Sequence, residues 1–209
     1  MSKSQSPAAG ARGRPALSKE KVADMRRHIA GCALRLFQED GYDAVSMRRL
    51  AKEVGCTVMT LYRYFERKID ILRLLWASVF NDLFDQLDQI AAREDDAARR
   101  LDAVALGYVN YWLEQRERYF LVFMSSGVSQ PDVSIFVGND DVVVRMNLFR
   151  ECLSGALGTD TSEADINLKA QLLICALNGI SHNLITISAF PWAEPKALVF
   201  STVLGILKS

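Results

Sequence analysis

An all-α fold of about nine helices is what this 209-residue chain predicts, and three observations predict it. Apolar residues recur at steps of three and four over long stretches. Gly and Pro are sparse, at 12 and 5, which leaves long runs between turn signals. No alternating apolar–polar pattern of the kind strands need recurs anywhere. With 50% hydrophobic and 24% charged residues, the chain can bury one sizeable core, or build a small domain attached to a larger one.

The elements follow in order. Residues 1–17, rich in Ser, Ala, Gly, Pro and basic side chains, read as a flexible basic arm. Val22, Met25, Ile29, Ala33, Leu36 and Phe37 then mark an amphipathic helix, with Ser18 placed to cap its start and Gly41 to end it. Ser46 is placed to cap a second helix, with Leu50, Ala51 and Val54 inward and Gly55 to stop it. Thr57 caps a third only one turn later. Helix, tight turn, helix within about twenty residues is the helix-turn-helix pattern.

The remainder is longer and more apolar. A helix from Ile71 carries Leu72, Leu75, Trp76, Val79, Phe80, Leu83, Phe84 and Leu87 inward, and the acidic, Ala-rich stretch 93–98 ends it. Another spans about Ala98 to Arg118, and Tyr119–Met124 opens a shorter one. Residues 125–140 read as a loop. Val142–Leu157, Glu163–Ser188 and Pro195–Lys208 read as helices, the last two joined by FPWAEP. The organisation expected is an arm (1–17), a helix-turn-helix domain (18–68) and a larger helical domain (69–209).

Net charge is zero but unevenly placed. Residues 1–70 hold 14 Lys and Arg against 8 Asp and Glu; the rest holds 11 against 17. A basic first third on an acidic remainder suits a polyanion partner for the first part alone, although surface charge also clusters by chance. The four cysteines are scattered with no CxxC pair, and the two histidines offer no zinc-ligand spacing, so neither metal nor cofactor is expected. Reduced thiols, a polar N-terminus without an apolar signal region, and a most apolar stretch (172–190) interrupted by Asn178, His182 and Asn183 point to a cytoplasmic protein without a membrane span. No nucleophile–base pair, paired carboxylates or phosphate loop stands out, which argues against an enzyme. A helical small-molecule carrier or sensor that does not act on DNA is the competing class.

Angles sharpen the third helix. With Leu61 at zero and steps of about 100°, Phe65 falls near 40° and Val58 near 60°, on the buried side. Met59 (about 160°), Arg63 (about 200°) and Thr60 (about 260°) face away, where Arg suits a guanine and Thr or Met a thymine methyl. Tyr62 and Tyr64, near 100° and 300°, flank the core, each hydroxyl within reach of a phosphate at a groove wall. Lys68 adds a phosphate charge, and Ser46 and Thr57 sit at helix N-termini that favour an anion. Alternatively, the tyrosines cover apolar neighbours and Arg63 is a solvated charge.

From Ile29 to Leu72 the sequence resembles the TetR family of bacterial transcriptional regulators. The residues that carry the likeness are Ala33 to Phe37, Gly41-Tyr42, VSMRRLAKEVG ending at Gly55, and TLYRYF ending at Phe65, with Lys68 and Leu72. The resemblance implies that the second helix of the motif enters the major groove of operator DNA. By position, Arg48, Met59, Thr60 and Arg63 become candidates for base contacts, and Ser46, Thr57, Tyr62, Tyr64 and Lys68 for phosphate contacts. Val58 and Met59 stand where relatives often carry polar residues or glycine, which shifts readout toward thymine methyls. Tyr64 replaces a common histidine and keeps a donor. The arm's ARGRP resembles a minor-groove arginine hook, with Arg12 and Arg14 as its arginines, or is an ordinary basic tail.

In the larger domain the resemblance is looser. The last two helices look like those through which relatives form a homodimer, and residues 172–187 are apolar on nearly every side, so they must bury more than one face, against a second copy or within the subunit. A dimer implies a pseudo-palindromic operator, with reading helices ~34–36 Å or somewhat more apart. Family members commonly release DNA when a small molecule enters the central helices, and repression is the commoner mode. The candidate lining is Tyr108, Tyr111, Trp112, Phe120, Phe123 and Phe149, with Asn178 and His182 as polar anchors, which suits an apolar or aromatic effector. The same aromatic stripe is also what plain core looks like.

Overall fold

The computed structural model describes residues 18–125 and 140–209, and every described element is an α-helix. The arm with Arg12 and Arg14, and nearly all of the 125–140 loop, lie outside the described residues.

Local signals set the first three helices. Ser18 Oγ accepts from the Lys21 amide at 3.3 Å and opens α1 (Lys19–Asp40), which closes at Gly41 with φ 80°. Ser46 Oγ accepts from the Arg49 amide at 3.2 Å to start α2 (Met47–Val54), and Leu50 and Ala51 are buried on its inner side. Gly55 takes the left-handed conformation, φ 73° and ψ 31°, where a Cβ would be strained. Its amide returns to the last turn of α2, and Thr57 starts α3 (Val58–Tyr62) two residues later.

The spine of the molecule is α4 (Lys68–Ala91), which begins three residues before the Ile71 expected. The reason is a reciprocal cap: the Arg67 amide donates to Asp70 Oδ2 at 2.9 Å, fixing the first turn around Lys68. Its N-terminal residues Ile71 and Leu72 are fully buried beside α1, and further along Leu83, Phe84 and Leu87 sit in the larger domain's core. One helix therefore belongs to both parts.

The helix expected from Ala98 to Arg118 ends at Glu114, and the shorter one expected from Tyr119 starts at Arg116. Gln115, at φ −110° and ψ 50°, leaves helical geometry and divides α5 (Ala97–Glu114) from α6 (Arg116–Phe123). Its amide still reaches the Tyr111 carbonyl at 2.9 Å, and its carbonyl receives the Tyr119 amide, so both of its own backbone groups stay bonded through the bend. No Gly or Pro marks it. Chain direction changes there so that Tyr119 and Leu121 turn inward. Next come α7 (Asp140–Leu157), α8 (Glu163–Thr186, two residues shorter than expected) and α9 (Pro195–Lys208). The bundle closes around α5, which packs on α4, α7, α8 and α9 and buries Val104, Ala105, Tyr108, Val109 and Trp112. Among the described residues no helix is long and apolar enough to cross a membrane, and no cluster of ligands could hold a metal ion.

Candidate nucleic-acid interface and effector site

The reading surface is a consequence of how short α3 is. Five residues make barely more than one turn, after which the Arg63 and Tyr64 amides bond back at i−3, to Thr60 and Leu61. The regular 100° step therefore ends at Tyr62. Leu61 and Phe65 still reach the core, at 0% and 2% exposure, because the tightened turn carries Phe65 back under Leu61. Val58 is half-buried against the same core. Met59 stands out at 78% exposure and Arg63 is exposed beside it, while Thr60 is half-buried.

Which cations are free separates candidates from scaffolding. Arg26 donates to the Tyr64 carbonyl at 2.7 Å and lies over the Phe65 ring at 4.4 Å. Arg35 pairs with Glu53 at 3.3 Å, Arg49 with Asp40 at 2.5 Å, and Arg67 with Asp70 at 3.4 Å; Arg27 pairs with Asp24. Among the described residues of this region, Arg48 and Arg63 are the arginines without a hydrogen bond or ion pair. Their guanidiniums are free to fork onto a base edge.

The caps have donors left over. Thr57 Oγ1 accepts from the Thr60 amide at 3.1 Å and lies 2.9 Å from Thr60 Oγ1. If Thr60 donates in that contact, the Thr57 proton points outward, the geometry a phosphate oxygen needs. Ser46 likewise accepts from a backbone amide and keeps its proton. Tyr62 is half-exposed and Tyr64 half-buried, and neither hydroxyl is bonded within the described residues.

Lys68 is held differently. Its Nζ donates to the Tyr42 carbonyl at 2.8 Å and sits 3.9 Å from the centre of the Tyr42 ring. Burial pushes its pKa down, and the nearby Asp43 carboxylate offsets part of that. Two of its three ammonium protons remain for an anion. Arg26 is the residue the sequence did not single out: it pins the α3 turn from beneath. Its polar position on α1, next to the apolar Met25 and Ile29, carried no sign of that role.

In the larger domain, the aromatic residues form a packed cluster. Trp112, fully buried, meets Tyr108, Tyr111, Tyr119 and Phe123 edge-on at centroid distances of 6.0, 5.0, 5.8 and 5.2 Å. Phe149 is fully buried against Tyr108 at 5.5 Å. The hydroxyls are engaged: Tyr108 donates to Asn178 Oδ1 at 2.6 Å, Tyr111 to the Val79 carbonyl at 3.1 Å, and Tyr119 lies 3.0 Å from His182 Nδ1. Burial raises the pKa of Tyr108 far above the ordinary tyrosine value. His182 is exposed on α8, and Phe120 is half-exposed. Phe120 lines a separate groove of about 340 Å³ between the end of α1 and α6, walled by Phe37, Tyr42, Leu121 and Met124. The eight candidates are thus spread over a closed ring cluster, its rim and a groove beside the reading head.

Comparison with known proteins follows the same division. Residues 31–75 match the family model described as bacterial regulatory proteins, tetR family. An HTH-type transcriptional regulator of Staphylococcus aureus is 35% identical over 72 residues, 34% of this chain and 39% of that protein. The HTH-type transcriptional repressor KstR of Rhodococcus jostii is 38% identical over 71 residues, 34% of each chain. The matches thus span little more than a third of those relatives' length. The whole fold is similar to the crystal structure of the transcriptional regulator FadR from Bacillus subtilis in complex with stearoyl-CoA, with a TM-score of 0.68, 16% identity, and coverage of 87% of this chain and 97% of that one.

Proposed function

Through residues 31–75 this chain belongs to the TetR family of bacterial regulatory proteins, and we propose that it is a ligand-responsive transcriptional repressor. It binds a pseudo-palindromic operator as a homodimer in the cytoplasm and is released by a small molecule. The observation that carries the reading is the selective freedom of Arg48 and Arg63: neighbouring arginines are tied to carboxylates or carbonyls, while these two are exposed and unpaired, and Met59, one turn before Arg63, is exposed as well. Arg48, Met59, Thr60 and Arg63 contact bases; Ser46, Thr57, Tyr62, Tyr64 and Lys68 contact phosphates.

The dimer reading rests on α8 and α9. Leu168, Leu172, Cys175, Gly179, His182 and Thr186 recur at steps of four and three, and all are exposed. That is the spacing of a helix–helix seam. Leu204 is exposed on α9, and a Cβ built at Gly179 or Gly205 meets nothing within 4 Å. Glycine inside a helix costs about 1 kcal/mol relative to alanine, and no close packing among the described residues offsets it at these two positions. Close approach of a second backbone does.

In mechanism, α4 carries the coupling. It starts in the reading head at Lys68 and is tied to the effector domain by Trp76 Nε1 donating to the Leu121 carbonyl at 3.0 Å, and by Arg118 pairing with Asp82 at 2.7 Å. An effector bound among α5, α6 and α8 shifts α4, and with it the spacing of the two reading heads. It does so only to the extent that it binds the two states differently. FadR's bound stearoyl-CoA supports small-molecule binding on this architecture. Duplex binding measured across a salt series tests the proposal. Log K falls steeply with log salt if several phosphates are contacted; a flat response, or no duplex binding at low salt, returns the chain to the carrier class.

A further inference from the structure

The groove between the end of α1 and α6 lies where the reading head meets the effector domain, apart from the packed rings. It holds about 340 Å³. Small-molecule clefts run from ~300 to 1,000 Å³, so one small ligand suits it. Phe37, Tyr42 and Leu121 are buried and form its floor, with Phe37 edge-on to Tyr42 at 5.2 Å. Phe120 and Met124, one turn apart on α6, stand exposed along it. Covering that pair removes apolar surface from water, which is a source of affinity.

One charge marks the rim. Glu117 lines the groove, and its carboxylate meets a neutral partner: Gln38 Nε2 donates to Oε2 at 2.9 Å. Among the described residues Oε1 has no donor. The cations nearby do not line the groove. Arg118 pairs with Asp82, Lys68 is held at the Tyr42 carbonyl with Asp43 close by, and Arg116 lines a neighbouring polar groove instead. The lining therefore carries one negative charge and no positive one. Aromatic faces attract cations as well, so rings and carboxylate favour the same sign of ligand.

We propose that this groove is a binding site for a small organic cation, an ammonium on an aromatic or aliphatic body, with the ammonium at Glu117 Oε1 and the body covering Phe120 and Met124. An anion would be repelled by the carboxylate, and a neutral molecule would leave its charge unused. The site is distinct from the ring cluster and goes beyond the repressor reading. Its ligand touches α1 and α6 at once, beside the Gln38–Glu117 bond that ties the two parts of the molecule together.

Three probes that share one body test it without DNA: phenylbutylammonium, phenylbutanol and phenylbutyrate. Full-length protein carrying methyl-labelled methionine reports by NMR where they bind, and the Met124 signal is identified by its loss in Met124→Leu. The ammonium probe moves the Met124 methyl and leaves that of the exposed Met59 in place. It binds roughly fivefold tighter than the alcohol, and the carboxylate probe binds weakest. Glu117→Gln, at an exposed position and with the apolar lining untouched, removes the preference. Rising salt narrows it. Equal affinity for the ammonium and the alcohol, a preference that survives Glu117→Gln, a Met59 methyl that moves as far as that of Met124, or no binding of any probe overturns the proposal. No operator enters the measurement, so the two readings fail separately: absent duplex binding leaves a charge-selective Met124 shift standing, and an unselective groove leaves the repressor reading untouched.

Discussion

The reading head and the effector domain bury their aromatic residues to opposite ends. In the first, Phe65 alone among the aromatics of TLYRYF is sunk into the core, while Tyr62 and Tyr64 keep their hydroxyls outward or unbonded. In the second, Tyr108, Tyr111, Trp112 and Phe149 are packed ring on ring, and every hydroxyl there is bonded. A surface meant for a rigid polyanion is made ahead of time, with its donors left open. The proposed effector site is, by contrast, closed over by its own side chains.

The largest effect expected is on the core that supports the open surface. Phe65→Ala removes a fully packed ring under α3 and should cost about 3–5 kcal/mol, read as a fall in Tm. A change of less than about 1 kcal/mol would mean that the tightened turn stands without Phe65. On the effector side, Leu172→Asp places a charge on the seam and should weaken self-association roughly thirtyfold or more, measured by light scattering against concentration. A monomeric wild type would remove the seam altogether. Arg63→Ala should lose about 1–3 kcal/mol at one base step and relax preference there, whereas Lys68→Ala should weaken all sequences alike and reduce the salt slope by about 1. If both variants lose affinity with no change in preference, Arg63 is another phosphate contact.

A smaller effect concerns thiols. Burial pushes the Cys152 thiol up to about 11, so at pH 8 only roughly a thousandth is thiolate, and it stays silent to thiol reagents until the pH approaches that value. Cys175 is exposed on the α8 seam. It should react slowly in the dimer and promptly in Leu172→Asp, a difference that thiol titration reads directly.

What the sequence disclosed divides along the same line. Ser18, Ser46, Gly55 and Thr57 announced their helix ends because caps and left-handed turns are local, fixed by one or two residue types. Met59's exposure followed from a single turn of helical geometry. The division between α5 and α6 was read a few residues late, because no breaker residue sits at Gln115 to fix it; Tyr119 and Leu121 turn inward after the bend. Arg26's hold on Tyr64 and the tether of Lys68 to the Tyr42 carbonyl depend on contacts 38 and 26 residues apart, which no spacing rule reaches. Arg63 stood out by its helical angle and Arg48 through the family resemblance; that these two are the unpaired ones required the fold.

Selection from a pool of random duplexes, sequenced after binding to the purified protein, bears most directly on the claim that two copies of this reading head read sequence together. The account predicts enrichment of a pseudo-palindrome with half-site centres about one helical turn apart or somewhat more, with the preferred base at one position in each half lost in Arg63→Ala. A pool that stays random at low salt, or enrichment of a single unpaired half-site, would contradict it.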